Sequence, residues 1–291
     1  LLIDGFGVSW NVVFAVYTMV AAISAVSILW IHEYGLEQEE QKPTSRFEKI
    51  TVALKVLVEN PKMKYMIGLN ALFGFAAAFL NSYVNGEVVY SVLGSDDKVG
   101  SLNALTAASA AVSSLAFGKL AQYTGKGPVL MMGAVAFSWV GGAFLLRPNV
   151  ANDWNIVWLV SVYVFQGIGR STFEGTLRST FADYFPKETV GAFANITLQN
   201  GMAATVGYYL SNSLKCSDEG IRGCTKFRNG TLHNVLAFEW LVVLTAVFAI
   251  LGYWRASVLQ NREEKDGEIL GVASPGLLAD EEEEEEVRRI I

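Results

Sequence analysis

Charge is what this chain has least of: only 17% of its 291 residues are Asp, Glu, Lys or Arg, against roughly one quarter in ordinary soluble domains. That argues against a soluble globular protein. Histidine and cysteine are scarcer still, at two each. His32 and His233 are far apart, with no Cys or His cluster near either, so a metal site is not expected. No nucleophile stands near a base and no glycine loop is built to cradle phosphate, so neither an enzyme nor a cofactor is expected. A concentrated basic face is missing too, which excludes nucleic acid as a partner. What is present is apolar: 52% of the residues are hydrophobic. The expected class is a membrane protein whose first partner is the lipid bilayer. Leu1 is neither a Met nor part of a basic leader, so the first apolar run reads as the interior of a longer protein.

Apolar runs long enough to cross a bilayer, roughly 20 residues, recur seven times, at 8–31, 64–84, 99–120, 128–146, 154–177, 190–212 and 234–256. All seven are predicted helices. The third is rich in Ala, Ser and Gly, which suits a helix packed inside a bundle more than one facing lipid. The connections on one side carry 16 of the 22 basic residues and those on the other carry six, so the basic side is predicted cytoplasmic. This puts the C-terminus in the cytoplasm and Leu1 outside. The loop between the last two spans then also lies outside, where Cys216 and Cys224 can form a disulfide and Asn229 of Asn229-Gly230-Thr231 can be glycosylated. Two unpaired thiols are the alternative. The sequon at Asn195-Ile196-Thr197 is predicted silent, because it falls in the cytoplasmic half of the sixth span.

The net charge of -6 is concentrated at one end, since residues 257–291 hold eleven acids against four bases. That segment is predicted to be a disordered cytoplasmic tail. Its close, Glu286-Val287-Arg288-Arg289-Ile290-Ile291, resembles an acidic dileucine sorting signal, which suits an endosomal or lysosomal membrane as well as the plasma membrane. Residues 32–63 form the one long cytoplasmic connection. Ser45 and Glu48 make a capping box, and Phe47, Ile50, Leu54, Leu57 and Val58 then recur at helical spacing until Asn60-Pro61 stops them. A short amphipathic helix follows, either lying on the inner membrane surface or packed under the bundle.

The connection between the third and fourth spans, "GKLAQYTGKGPVL", resembles the loop motif of the major facilitator superfamily at Gly118, Leu120, Ala121, Gly125 and Lys126. The acid and the arginine of that motif are Gln122 and Tyr123 here, which puts its charge latch in doubt; a plain tight turn at Thr124, Gly125, Gly127 and Pro128 is the other reading. Further along, Gly167 to Arg170, Glu174, Phe181 to Pro186 and Gly191 to Asn195 resemble the Unc-ninety-three-like branch of that superfamily. The resemblance implies an all-α membrane protein of seven transmembrane helices: the last helix of an N-terminal half (1–31), an inter-half loop with an amphipathic helix (32–63), an MFS-type C-terminal six-helix bundle (64–256) and the acidic tail (257–291). The missing N-terminal half would be its closest partner. Two functions follow from the resemblance. One is half of an alternating-access transporter for a small polar solute or ion. The other is a non-transporting regulator whose partners are ion channel or receptor subunits.

Two groups of residues carry the site expectations. Arg170, Glu174 and Arg178 share one helix face at four-residue spacing, each neighbouring pair within ion-pair reach. Counted from Trp154 at the outer interface, Arg170 lies about 24 Å down a helix axis. The ladder is therefore expected at the inner end, where with Lys126 competing for Glu174 it would form a cytoplasmic gate or latch, or else a static ion pair. The second group is uncharged: Asn70 and Asn81 on the second span, and Asn195, Gln199 and Asn200 on the sixth. Amides are costly in lipid, so these should point inward, to line a cavity or to hydrogen-bond helix to helix. Proton coupling is not supported, because no acid or histidine has a central position.

Overall fold

The computed structural model describes scattered helical residues between 12 and 26, then residues 46–213, 225–226, 232–233 and 235–269. Two units are distinguished, Leu1–Lys42 and Pro43–Ile291. In the first, Val12, Val16, Val20 and Ile23 are helical, inside the predicted first span. Ser45, Cys216, Cys224 and Asn229, and with them the expected capping box, disulfide and glycan, lie outside the described residues.

The second unit is built from eight helices among the described residues. α1 is Arg46–Glu59, and α2 runs over Pro61–Leu93. α3 is Val99–Thr124, α4 Lys126–Leu146 and α5 the single turn Val150–Asp153. α6 runs over Ile156–Tyr184, α7 over Thr189–Ser213 and α8 over Leu236–Ile269. The described strands are a two-residue antiparallel pair, β1 Thr225–Lys226 and β2 Leu232–His233, with Thr225 opposite His233. Among the described residues, five helices are long and apolar enough to cross a membrane: α2, α3, α4, α6 and the Leu236–Asp266 part of α8. α7 has 25 residues and matches the sixth predicted span, but its amides, threonines and glycines leave it less apolar than those five.

Asn60-Pro61 both ends α1 and begins α2. Asn60 takes an extended conformation and its side chain accepts from the Lys62 N–H at 3.0 Å, with Pro61 at the first helical position, where its missing N–H costs nothing. α2 then runs past the expected end at 84, because its polar stretch from Asn81 to Glu87 is carried as π-helix instead of breaking. α8 likewise continues beyond 256, which corrects the expectation of disorder over 257–269. Helix-forming Gln, Arg, Glu and Lys dominate there. Gln260 donates to Glu264 at 2.9 Å, and a contact to α2, described below, holds the segment.

α2 packs against α7 and α8, α8 against α4, α4 against α6, and α6 against α3. At the centre, Phe79 of α2 meets Phe144 of α4 and Phe238 of α8 edge to face, at 5.2 and 5.1 Å, a favoured geometry for buried rings. The inward stripe of α8 is Phe238, Val242, Ala246, Ala249 and Tyr253, while Leu244, Phe248, Leu251 and Trp254 are exposed. A helix apolar on both faces suits a bundle in lipid. Helices approach most closely at glycines, as expected where packing without a hydrophobic drive depends on backbone contact. A Cβ on Gly74 would lie 2.5 Å from the Asn200 carbonyl oxygen, and one on Gly252 would overlap that of Tyr65.

At the end opposite α1, Trp154 precedes α6 instead of opening it. Its indole N–H donates to the Arg147 carbonyl at 2.8 Å, and its ring lies 4.3 Å from that of Phe144. Arg147 covers Trp158 at 4.3 Å, and Trp158 stacks on Trp139. Such an aromatic and cationic rim is usual at a membrane interface.

α1 divides its apolar residues between two neighbours. Ala53 and Val56 are buried, and the Ala53 carbonyl accepts from Asn195 of α7 at 2.8 Å, while Leu54 and Val58 are exposed. One edge therefore packs on the bundle and the other stays open.

Candidate functional site

Part of the polar set lies along the antiparallel seam between α2 and α6. Two contacts bracket it. Toward the α1 end, Phe73 stacks on Phe173 with centroids 4.0 Å apart and planes 7° apart. Toward the other end, the Tyr163 hydroxyl donates to Asn85 Oδ1 at 2.5 Å. Asn85 donates in turn to Asn81 Oδ1 at 3.4 Å. Tyr163 also ties in α3, because its carbonyl accepts from the buried Thr106 hydroxyl at 3.1 Å. Asn81, Gln166 and Arg170 fall between the brackets. Gln166 is buried with its Oε1 unpaired, whereas Asn81 and Arg170 are exposed.

Both helices of the seam carry π-helical turns, Phe79–Val88 in α2 and Thr172–Leu177 in α6. Such turns are rare and often mark functional sites. Hydroxyls that bond back to the preceding turn help to loosen the ladder: Ser82 donates to the Ala78 carbonyl at 2.5 Å and Thr172 to that of Gly169 at 2.8 Å. Thr172 itself fills the space that a side chain at Gly133 of α4 would need. The glycines of the Gly167 to Arg170 motif serve α6 on two sides, since Gly167 lies against the Thr106 carbonyl of α3 and Gly169 against the Phe137 ring of α4.

The charge ladder is only half made. Arg170 Nε donates to Glu174 Oε1 at 2.9 Å, with both side chains almost half exposed. Arg178 is exposed and takes part in none of the ion pairs found among the described residues. The π turn explains this, because its wider loop turns Arg178 off the face that ideal helical spacing assigns to it. Lys126 does not compete for Glu174: its Nζ sits 2.5 Å from Asp183 Oδ2 at the end of α6.

The uncharged residues divide between two places. Asn70 donates to Gln199 Oε1 at 2.7 Å, wholly buried between α2 and α7, leaving Asn70 Oδ1 and Gln199 Nε2 without a protein partner. Asn195 spends its amide N–H groups on the carbonyls of Ala53 and Gly191, at 2.8 and 2.9 Å. Asn200 is half-buried, its carbonyl at the Gly74 crossing. Only Asn81 of the expected cavity residues is thus exposed on the seam.

In the loop motif, α3 runs to Thr124 and α4 starts at Lys126, so a single residue turns the chain. That residue is Gly125, at φ 81° and ψ 170°, a conformation that favours glycine. Thr124 caps the turn by donating to the Leu120 carbonyl at 3.0 Å. Gln122 and Tyr123, which replace the motif's charged pair, are exposed, and nothing lies within 4 Å of a side chain placed on Gly118.

Sequence reasoning missed four residues here: Tyr163, Gln166, Asp183 and Lys62. Asp183 stands inside the "FADYFP" stretch and was open to notice as an acid at a helix end. Lys62 follows a proline and counted only as one of the basic residues. Yet it is buried, and its Nζ donates to Glu263 at 2.6 Å, Gln260 at 2.8 Å and the Tyr184 carbonyl at 3.1 Å. It ties the start of α2 to the ends of α6 and α8.

Apolar helices of spanning length, packed through glycines, with polar groups kept between them, define a multi-pass α-helical membrane protein. Residues 1–207 match the family model of the Major Facilitator Superfamily, and the chain belongs to that family. It is also similar to protein unc-93 homolog A of Xenopus laevis, 25% identical over 203 residues, which cover 68% of this chain and 44% of the relative. The chain thus matches less than half the length of that relative. No solved structure matches it significantly.

Proposed function

We propose that this chain forms part of an alternating-access transporter for a small polar solute or ion, with the α2–α6 seam on the pathway. The observation that carries this reading is the coincidence, in one seam, of exposed polar side chains and two π-helical segments: Asn81 within one, Glu174 within the other and Arg170 just before it. An exposed amide and ion pair on spanning helices are costly in lipid, so they serve best against water or a facing half of the bundle. The π turns supply hinges, where each helix can trade one hydrogen-bond register for another. The Arg170–Glu174 pair is then the latch, and the α1 end is the cytoplasmic one, because the basic connections gather there.

A second reading, a non-transporting regulator of ion channels or receptor trafficking, is favoured by one observation. The loop motif lacks its Asp-Arg pair, and the residues in their place, Gln122 and Tyr123, face away from the bundle. In reconstituted vesicles the transport reading predicts saturable flux of at least one polar solute or of potassium. Flux should fall about tenfold in Asn81→Leu, the worth of one hydrogen bond to substrate. Flux untouched by Asn81→Leu would take the pathway away from the α2–α6 seam, and no flux across the panel would favour the regulator.

A further inference from the structure

Several cations at the α1 end already have a partner. Lys55 pairs with Glu59, Lys62 with Glu263, Lys126 with Asp183 and Arg170 with Glu174, while Arg255 lies 6.0 Å from the centre of the Tyr65 ring. Arg262 and Lys265 alternate with Glu263, Glu264 and Asp266 along α8. Lys119, Arg178 and Lys187 are different. All three are exposed, and none takes part in an ion pair or a cation–ring contact found among the described residues.

Lys119 and Arg178 also stand at one level. α3 and α6 run in the same direction, because Gly167 of α6 lies against Thr106 and Ser109 of α3. Further toward the α1 end, Ala121 and Thr180, which follow Lys119 and Arg178 closely, face a common cavity. Lys119 is the only charged residue of α3, and Lys187 comes just after α6 ends at Tyr184. Cations on adjoining helices repel, and an anion among them relieves that repulsion.

We propose that the acidic run Asp280–Glu286 of this same chain docks on the surface formed by Lys119, Arg178 and Lys187. The run lies outside the described residues and consists of seven consecutive acids, followed by Arg288 and Arg289. It begins eleven residues beyond Ile269, where α8 ends, so it can reach about 36 Å from that point. The place of α8 is fixed by Lys62, whose Nζ donates to both Glu263 and the Tyr184 carbonyl. Ile269 is six residues past Glu263 and Arg178 six before Tyr184, each about 9 Å along a helix. The reach therefore exceeds the distance to be covered.

The match is one of charge, not of shape. An exposed ion pair is weak alone, but so short a tether keeps the acids at millimolar concentration around the cations. Seven acids against three cations also allow many equivalent pairings, so docking sacrifices little chain entropy. The docked run covers the ends of α3 and α6, beside the Arg170–Glu174 pair. This contact does not depend on the transport reading.

The test is carbodiimide cross-linking of the purified full-length chain in neutral detergent, read by mass spectrometry. The reagent joins a lysine Nζ to a neighbouring carboxylate carbon as an amide and takes up the water lost. Lys126 and Asp183, in contact at 2.5 Å, provide the internal standard. At low salt Lys119 and Lys187 should link to the 280–286 run about fivefold more often than Lys64, an exposed lysine of α2, fivefold being the worth of one exposed ion pair. Arg178→Gln, a change at an exposed side chain, should cut the Lys119 links about fivefold. Salt of about 1 M, which shortens screening to about 3 Å, should remove them. In a mixture of isotopically heavy and light chains, each link should join residues of one isotope. Links to Lys64 as frequent as those to Lys119, no effect of Arg178→Gln, or links undiminished in high salt overturn the proposal. So do links between heavy and light chains, which would make the occupant a second copy.

Discussion

Gly252→Val is expected to unfold or disperse the bundle, at a cost of about 3 kcal/mol, the upper part of the range for overpacking a core. A side chain at Gly252 overlaps the Tyr65 carbonyl oxygen, and one at Gly68, a little further along the same α2–α8 crossing, comes within 3.0 Å of the Ala249 Cα. Both obstacles are backbone, so no rotamer change relieves them and α8 must move away from α2. That displacement would spread, because Phe238 of α8 is packed on Phe79 at the centre. Gly118→Val is the control. It lies in the loop motif but meets nothing within 4 Å, and valine is the better helix former. The check is the melting temperature in detergent, read as the loss of the monodisperse peak. Gly252→Val should fall well below the parent and Gly118→Val should match it; equal melting for the two variants would contradict the close crossing.

Lys62→Met should act locally and strongly. The buried ammonium donates at once to Glu263, Gln260 and the Tyr184 carbonyl, and it lies 5.7 Å from the Phe185 ring. Removing one partner of a buried ion pair costs several kcal/mol when the other is stranded. Here Glu263 is 57% exposed and can return to water, which lowers the expected loss to about 2 kcal/mol. The loss should appear where Lys62 acts alone, in the part of α8 beyond the membrane. Hydrogen exchange over residues 257–269 should rise about thirtyfold, the equivalent of that energy, while α4 and the membrane part of α8 stay protected. Glu263→Gln keeps an acceptor in place and should show a much smaller change. Unchanged exchange in Lys62→Met would mean that α8 holds its extension without the contact.

How much of this was legible in the sequence follows from which forces act locally. Helix positions came through well: Asn60-Pro61 is read as a stop and a start by its own chemistry, and Gly125 as a turn. The ladder was legible only as far as Glu174, because four-residue spacing presumes a regular α-helix and nothing in "TFEGTL" announces the π turn that precedes Arg178. The choice of Asp183 over Glu174 by Lys126 depends on how far α6 runs before ending, and that is set by packing. The amides divided for a similar reason. Asn70, Gln199 and Asn195 share the composition of cavity residues, yet helix crossings at Gly74 and Asn195's reach to α1 turned them into interhelical contacts. The continuation of α8 was hidden because an acidic, polar segment reads as solvated tail until a buried lysine from elsewhere in the chain captures it.

The central claim, that the α2–α6 seam meets water within the membrane, is tested most directly by thiol accessibility. In a background with Cys216 and Cys224 replaced by serine, single cysteines are placed at Asn81 on the seam, at Phe248 on the lipid-facing ridge of α8 and at Asn261 on the α1 end. A membrane-impermeant thiol reagent is then applied to intact cells and to opened membranes. Asn81→Cys should react in opened membranes at a rate near that of Asn261→Cys, Phe248→Cys should not react, and Asn261→Cys should react only once the cells are opened. An Asn81→Cys variant as unreactive as Phe248→Cys on both sides of the membrane would place the seam in a dry environment and contradict the proposed pathway.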